Sequence, residues 1–232
     1  MPSTENFWIE REVTIRMTTR LVLGRHGNTF GPLDTPTRVG ARTDLPLVES
    51  GQEQAKWLGV YLRHRHLQPH VVFSARLQRS YETARLALEV LGCHVPIIMD
   101  AMFDEIDYGP DENKTDAEVV ARIGRQALAD WDTHGKVPDG WQVQPETIMQ
   151  NWLTFGERCR RDWSGKTTLV VTSNGIARFA PRLIGVLEEF AQTHGLKMAT
   201  GAVSVFRADP SYWVVEAWNV RPQTWLQEHG KV

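Results

Sequence analysis

The chain has 232 residues, 41% of them hydrophobic and 23% charged, with a formal net charge of -2. That length buries a full core and suits one large α/β domain, while the near-neutral charge offers no general attraction to nucleic acid or anionic membranes. Cys93 and Cys159 are the only cysteines, which excludes a disulfide framework and a four-cysteine zinc site.

The first sixteen residues, MPSTENFWIEREVTIR, carry three glutamates and no apolar core. They do not read as a secretory signal, and no run in the chain reaches the length of a membrane span. The expectation is a cytoplasmic protein, with an N-terminal extension over residues 1–18 and Met17 as a candidate natural start.

TRLVLGR (19–25) reads as a short buried strand, and the proline-, glycine- and charge-rich stretch 32–47 as a loop. Residues 50–67 place Ala55, Leu58, Tyr61 and Leu62 at helical spacing. HVVFS (70–74) is a second strand, residues 76–92 a helix stopped by Gly92, and VPIIM (95–99) a third strand. The rhythm breaks over about 100–166. Helices are predicted there at 115–132 and 147–163, between loops, as a helical cap over one end of the domain. TTLVVTS (167–173) is the strongest strand, and NGIARFAPRLIGVL begins a helix that Pro181 bends or breaks. GAVSVFRA and YWVVEAWNV form a closing antiparallel hairpin.

Alternating strands and helices predict a mainly parallel sheet covered on both faces, in one domain over 19–232. Ligands of such sheets bind beyond the carboxyl ends of the strands. Arg25-His26-Gly27 stands at the first such end. Ser74 stands at the second, with Arg79 a turn further, and Ser173-Asn174-Gly175 at the fourth. Glu105 lies in the loop after the third strand.

GRHGNT, RTDLPLVESGQEQA, SARLQRSYETA, FDEIDYG and LVVTSNGIARF, in this order, resemble the histidine phosphatase (phosphoglycerate mutase-like) superfamily over about residues 19–210. The resemblance implies a phosphoglycerate mutase-like fold and catalysis by His26, Glu105, Arg25 and Arg79. The chemistry accounts for these residue types. A phosphomonoester is a dianion, and Arg25 and Arg79 offer permanently charged forks to its oxygens. A neutral His26 attacks phosphorus, giving a phosphohistidine that water later opens. Glu105 protonates the leaving alkoxide, with Asp104 and Asp107 as neighbouring alternatives. Gly27 lets the backbone turn beside the phosphate, and Asn28, Thr29, Ser173 and Asn174 complete the expected phosphate-binding set. No metal and no cofactor is implied; the expected partner is a small phosphorylated substrate.

One departure stands out. The family's second histidine, at the fourth strand end, is matched here by Ser173, which brings a hydroxyl without positive charge. A phosphatase is the preferred activity. A phosphomutase, or a weak or inactive phosphate-ligand binder on the same fold, are the alternatives. Other features have plainer readings. Arg76 is surface, His64 and His66 lie two apart on a helix and suit a metal badly, and Trp131, Trp141 and Trp152 are core or pocket lining.

Overall fold

A computed structural model describes residues 18–230. The expectations on Met17 and on all but the last residue of the 1–18 extension lie outside the described residues. Six strands form one sheet in the order β3-β2-β4-β1-β5-β6. They are β1 (Arg20–Arg25), β2 (Val71–Ser74), β3 (Ile97–Met99), β4 (Thr167–Thr172), β5 (Val203–Ala208) and β6 (Trp213–Val220). The first four run parallel, and β5 and β6 add an antiparallel edge beside β1.

Side-chain alternation sorts the strands onto two cores. Val22, Val72, Leu169 and Val171 point to one face with Leu58 and Leu62 of α1 (Glu49–His64), Ala84 and Leu88 of α2 (Gln78–Leu91), and Leu226 of α8 (Pro222–His229). Leu21, Leu23, Phe73, Val170 and Phe206 point to the other. That face is covered by α5 (Pro145–Asp162) and α7 (Leu187–His194), with α3 (Asp116–Ile123) and α4 (Arg125–His134) continuing the layer. Gly92 closes α2 in the left-handed conformation, at φ 72°.

Several expectations change in detail. The helix predicted over 115–132 is two helices, parted at Gly124, whose φ of 83° and ψ of 154° leave the helical region. The 100–166 stretch is only in part a cap. α5 is a layer of the sandwich itself: Phe155 meets Phe73 of the sheet edge-on at 5.2 Å between ring centres. The helix behind β4 is short. α6 spans Asn174–Ala177 and gives way to a 3-10 turn at Ala180–Leu183, because Pro181 has no N–H to donate and disfavours helical geometry before it. α7 and α8 were not anticipated. Their signals were a Leu187, Phe190, Ala191 stripe behind two glutamates, and a proline in the first turn at Pro222.

Candidate active site

The parallel strands bring their ends to one cavity of about 400 Å³, lined by Arg25, His26, Asn28, Thr29, Glu105 and Asn174 among others. β1 places His26 because its last residues are locked on both sides. The His26 amide donates to the Thr172 carbonyl at 3.0 Å, and the His26 carbonyl accepts from Gly201 at 2.9 Å. The next residues cross the start of α1 at very close range. A Cβ on Gly27 would lie 2.3 Å from the Gly51 carbonyl oxygen, and one on Gly51 would lie 2.1 Å from that of Asn28. Glycine is required at residue 27 by this crossing, not by a left-handed turn. The Gly27 amide donates to the Thr83 hydroxyl at 3.1 Å and so holds the loop to α2.

The His26 ring is buried, with Nδ1 2.8 Å from the Gly27 carbonyl oxygen. A carbonyl only accepts, so Nδ1 carries the proton and Nε2 keeps its lone pair. Burial, then the nearby charges of Arg79 and Arg25, hold the imidazole well below the ordinary histidine value. It is therefore neutral at pH 7.

Arg79 is fully buried in the first turn of α2, and its guanidinium donates to three carbonyls of the 39–43 loop: Thr43 at 2.8 Å, Gly40 at 3.2 Å and Val39 at 3.3 Å. Arg25 donates to the Met198 carbonyl. The Nε atoms of both arginines, and the Oγ of Ser173, are buried without a hydrogen-bond partner among the described residues. Of these three residues only Arg25 lines the cavity; Arg79 and Ser173 do not.

Glu105 is also buried, and burial raises its carboxyl above the ordinary value against the opposing pull of the Ile106 and Gly175 amides and the two arginines. Its Oε1 accepts from the Ile106 amide at 2.9 Å, and its Oε2 from Gly175 at 3.2 Å. The neighbouring acids are engaged elsewhere. Asp104 pairs with Arg76 at 2.6 Å, and Asp107 with Arg42 at 3.1 Å.

The other expected residues take distinct places. Thr29 lines the cavity. Asn28 also lines it, but its amide donates to Gln54 at 2.8 Å and its side chain joins Ser50 at 3.2 Å. Asn174 accepts from the Met198 amide at 2.9 Å. The Gly175 amide is taken by Glu105. Ser173 lies at the end of β4, fully buried, and is not part of the cavity lining. Trp131 lines the cavity; Trp152 is core, donating to the Ile176 carbonyl at 3.0 Å, and Trp141 donates to Asp111 at 2.7 Å.

Sequence reasoning missed several residues at and around the site, among them Tyr108, Arg38, Arg178 and Glu112. Tyr108 and Arg38 line the cavity. Arg178, fully buried, donates to the Trp131 carbonyl at 2.6 Å and lies over the Trp131 ring at 4.1 Å. Glu112 supports the site from outside. Its carboxylate accepts from the Gly40 amide (3.0 Å), the Arg42 amide (3.1 Å), the Thr43 hydroxyl (2.8 Å) and the Tyr108 amide (3.3 Å). It thereby clamps the carbonyls that hold Arg79 to the segment that carries Glu105. No signal short of the three-dimensional contacts marks Glu112 out from other loop acids.

Fold and site define an α/β sandwich whose ligand cavity lies beyond the ends of parallel strands, around a buried neutral imidazole. The family model described as the histidine phosphatase superfamily (branch 1) matches residues 21–221, and the chain belongs to that superfamily. The 2,3-bisphosphoglycerate-dependent phosphoglycerate mutase of Tropheryma whipplei (strain Twist) is 28% identical over 212 residues, covering 82% of this chain and 94% of that one. A mutase of the same description from Gloeobacter violaceus is 28% identical over 159 residues, covering 67% and 70%. The mycobacterial glucosyl-3-phosphoglycerate phosphatase superposes with a TM-score of 0.71 at 22% identity, over 87% of this chain and 99% of that one. The alpha-ribazole phosphatase of Shigella flexneri superposes with a TM-score of 0.67 at 22% identity, over 87% and 96%. At these identities the two structures speak for the fold alone.

Proposed function

We propose that the protein is a phosphatase that hydrolyses small phosphate monoesters through a phosphohistidine on His26. The observation that carries the reading is the 2.8 Å contact of Nδ1 with the Gly27 carbonyl oxygen: Nδ1–H donates a hydrogen bond to it, which leaves Nε2 free as a nucleophile. Arg25 and Arg79 bind the phosphoryl oxygens and neutralise their charge as the bond to Nε2 forms and the bond to the leaving oxygen breaks. Glu105, whose carboxyl burial raises above the ordinary value, gives its proton to that oxygen. In the second half, Glu105 takes a proton from water, whose oxygen attacks phosphorus and frees the His26 ring. No metal and no organic cofactor enters this scheme.

A phosphomutase is the second reading, favoured by the mutases to which the chain is 28% identical. A mutase must return the phosphoryl group to a second substrate before water does, and its family pattern has a histidine where Ser173 stands. The weak or inactive binder is the third, and Ser173 is its support. Turnover of p-nitrophenyl phosphate separates these readings. A phosphatase releases phosphate at a steady rate without a phosphoglycerate primer, and His26→Ala abolishes that release. Turnover only with bisphosphoglycerate present indicates the mutase, and saturable phosphate binding without turnover indicates the binder.

A further inference from the structure

The Gly27 carbonyl that orients the His26 ring belongs to the peptide group joining residues 27 and 28. The other end of that group is the Asn28 N–H, which donates to Oε1 of Gln54 at 2.8 Å. The carbonyl and the N–H of one planar trans peptide point in opposite directions, so holding one holds the other. Gln54 thus acts at one remove on the 2.8 Å contact between Nδ1 and the Gly27 oxygen.

Gln54 stands in the second turn of α1 and lines not the catalytic cavity but a neighbouring one of about 330 Å³, with Trp57 and Arg221. It also packs on a second anchor of the nucleophile. A Cβ on Gly201 would lie 2.6 Å from the Gln54 Cβ, and the Gly201 amide is the donor to the His26 carbonyl. The other bonds of Asn28 hold that residue in place without fixing the 27–28 peptide. They engage its own carbonyl, which accepts from Val48 at 3.1 Å, and its side chain, which meets Ser50 and the Thr200 hydroxyl.

The acceptor oxygen is therefore what matters at residue 54. Without it the 27–28 peptide group can rotate between its fixed neighbours, and its carbonyl leaves Nδ1. A neutral imidazole then also carries its proton on Nε2, where the lone pair needed for attack is lost. The bond to Gln54 has a second effect: an engaged N–H polarises its peptide and strengthens the carbonyl as an acceptor.

We infer that Gln54 is a positioning residue for the nucleophile: by accepting from the Asn28 N–H it holds the Gly27 carbonyl against Nδ1 of His26 and keeps Nε2 unprotonated. The inference rests on the phosphohistidine reading for its consequence in turnover, and on the two hydrogen bonds for its effect on the ring.

Gln54→Leu and Gln54→Glu test it, because only the second keeps an acceptor oxygen. We expect Gln54→Leu to lower kcat on an aryl phosphate by about ten- to a hundredfold, as a displaced nucleophile does. Its inhibition constant for inorganic phosphate should stay as in the wild type, since Arg25 and Arg79 are untouched. Gln54→Glu should recover most of the lost rate. Ring-nitrogen NMR of histidine-labelled protein, with His26→Ala assigning the signal, should show the Nδ1–H tautomer in the wild type and in Gln54→Glu, and a mixture in Gln54→Leu. If Gln54→Leu does not fold, Gln54→Met, matched in length, takes its place. An unchanged tautomer or an unchanged kcat in the apolar variant, or equal losses in Gln54→Glu, would overturn the inference. If the wild type turns over no phosphate ester, the phosphatase reading fails, and the tautomers alone decide the role of Gln54.

Discussion

The amide of Gly175 donates to the Glu105 carboxylate at 3.2 Å, and a Cβ at residue 175 would come within 2.2 Å of that same carboxyl group. Two segments 70 residues apart in the chain thus fix one titratable side chain, and the absence of a side chain on one is the condition for the other.

Gly175→Ala should therefore lower kcat on alkyl phosphates by about tenfold or more, since displacing a positioned acid removes much of its benefit. Helix propensity alone favours alanine by about 0.5–1 kcal/mol. Overpacking against Glu105 and Ile106 costs about 1–3 kcal/mol and should win. Urea denaturation of the two proteins gives the sign, and an alanine variant that is more stable and fully active would show the contact to be slack.

Glu105→Gln should damage alkyl phosphates far more than p-nitrophenyl phosphate, whose leaving group needs little help from a proton. The wild-type rate on alkyl esters should fall as pH rises through the raised Glu105 value, and the variant should lack that limb. Stability follows the same group. Its folded-state value lies above its unfolded one, so its contribution is full in acid and is lost as pH rises through the folded value. Glu105→Gln should then gain stability over the wild type at neutral pH and lose that advantage below the ordinary carboxyl range. Equal losses on both ester classes would remove Glu105 from the acid role.

Glu112→Ala frees the loop whose carbonyls hold Arg79. The expected result is a KM for phosphate esters, and an inhibition constant for inorganic phosphate, each raised about tenfold, with a stability loss of about 1–3 kcal/mol. Glu112→Gln should restore part of the phosphate affinity because its amide oxygen still accepts hydrogen bonds. Loss of stability with unchanged phosphate inhibition would mean that Glu112 serves folding only.

Ser173→His addresses the replaced family position. Ser173 is fully buried, so the larger ring is expected to crowd the end of β4 and lower activity. Steady-state kinetics on one aryl phosphate decides the matter; a clear rate gain would show that the serine is a simple loss of a stabilising imidazolium.

The legible part of the sequence was the part written in local pattern. The strands around Leu21–Leu23, Val71–Phe73 and Leu169–Val171 alternate between two buried faces, and their ends deliver His26 and Ser173 at the positions expected from the motifs. Glu105 and Arg79 were readable for the same reason, as residues in the motif segments next to strand ends. What escaped was set by contacts distant in the chain. Pro181 ended a helix that its flanking residues favoured. Phe155 joined α5 to the sheet, where periodicity alone suggested a cap. Arg38, Tyr108 and Glu112 belong to loops whose mutual contacts no spacing encodes. The role of Gly27 was visible as a glycine but not as a crossing with Gly51, which only the packed backbone reveals.

The central claim is that Nε2 of His26 becomes phosphorylated during turnover. Rapid mixing with a radiolabelled phosphate ester, followed by quenching in acid or base, tests it most directly. The account requires a label on the peptide containing His26 that survives base, is lost in acid, and is absent from His26→Ala. Steady turnover with no such label, or full activity in His26→Ala, would contradict it.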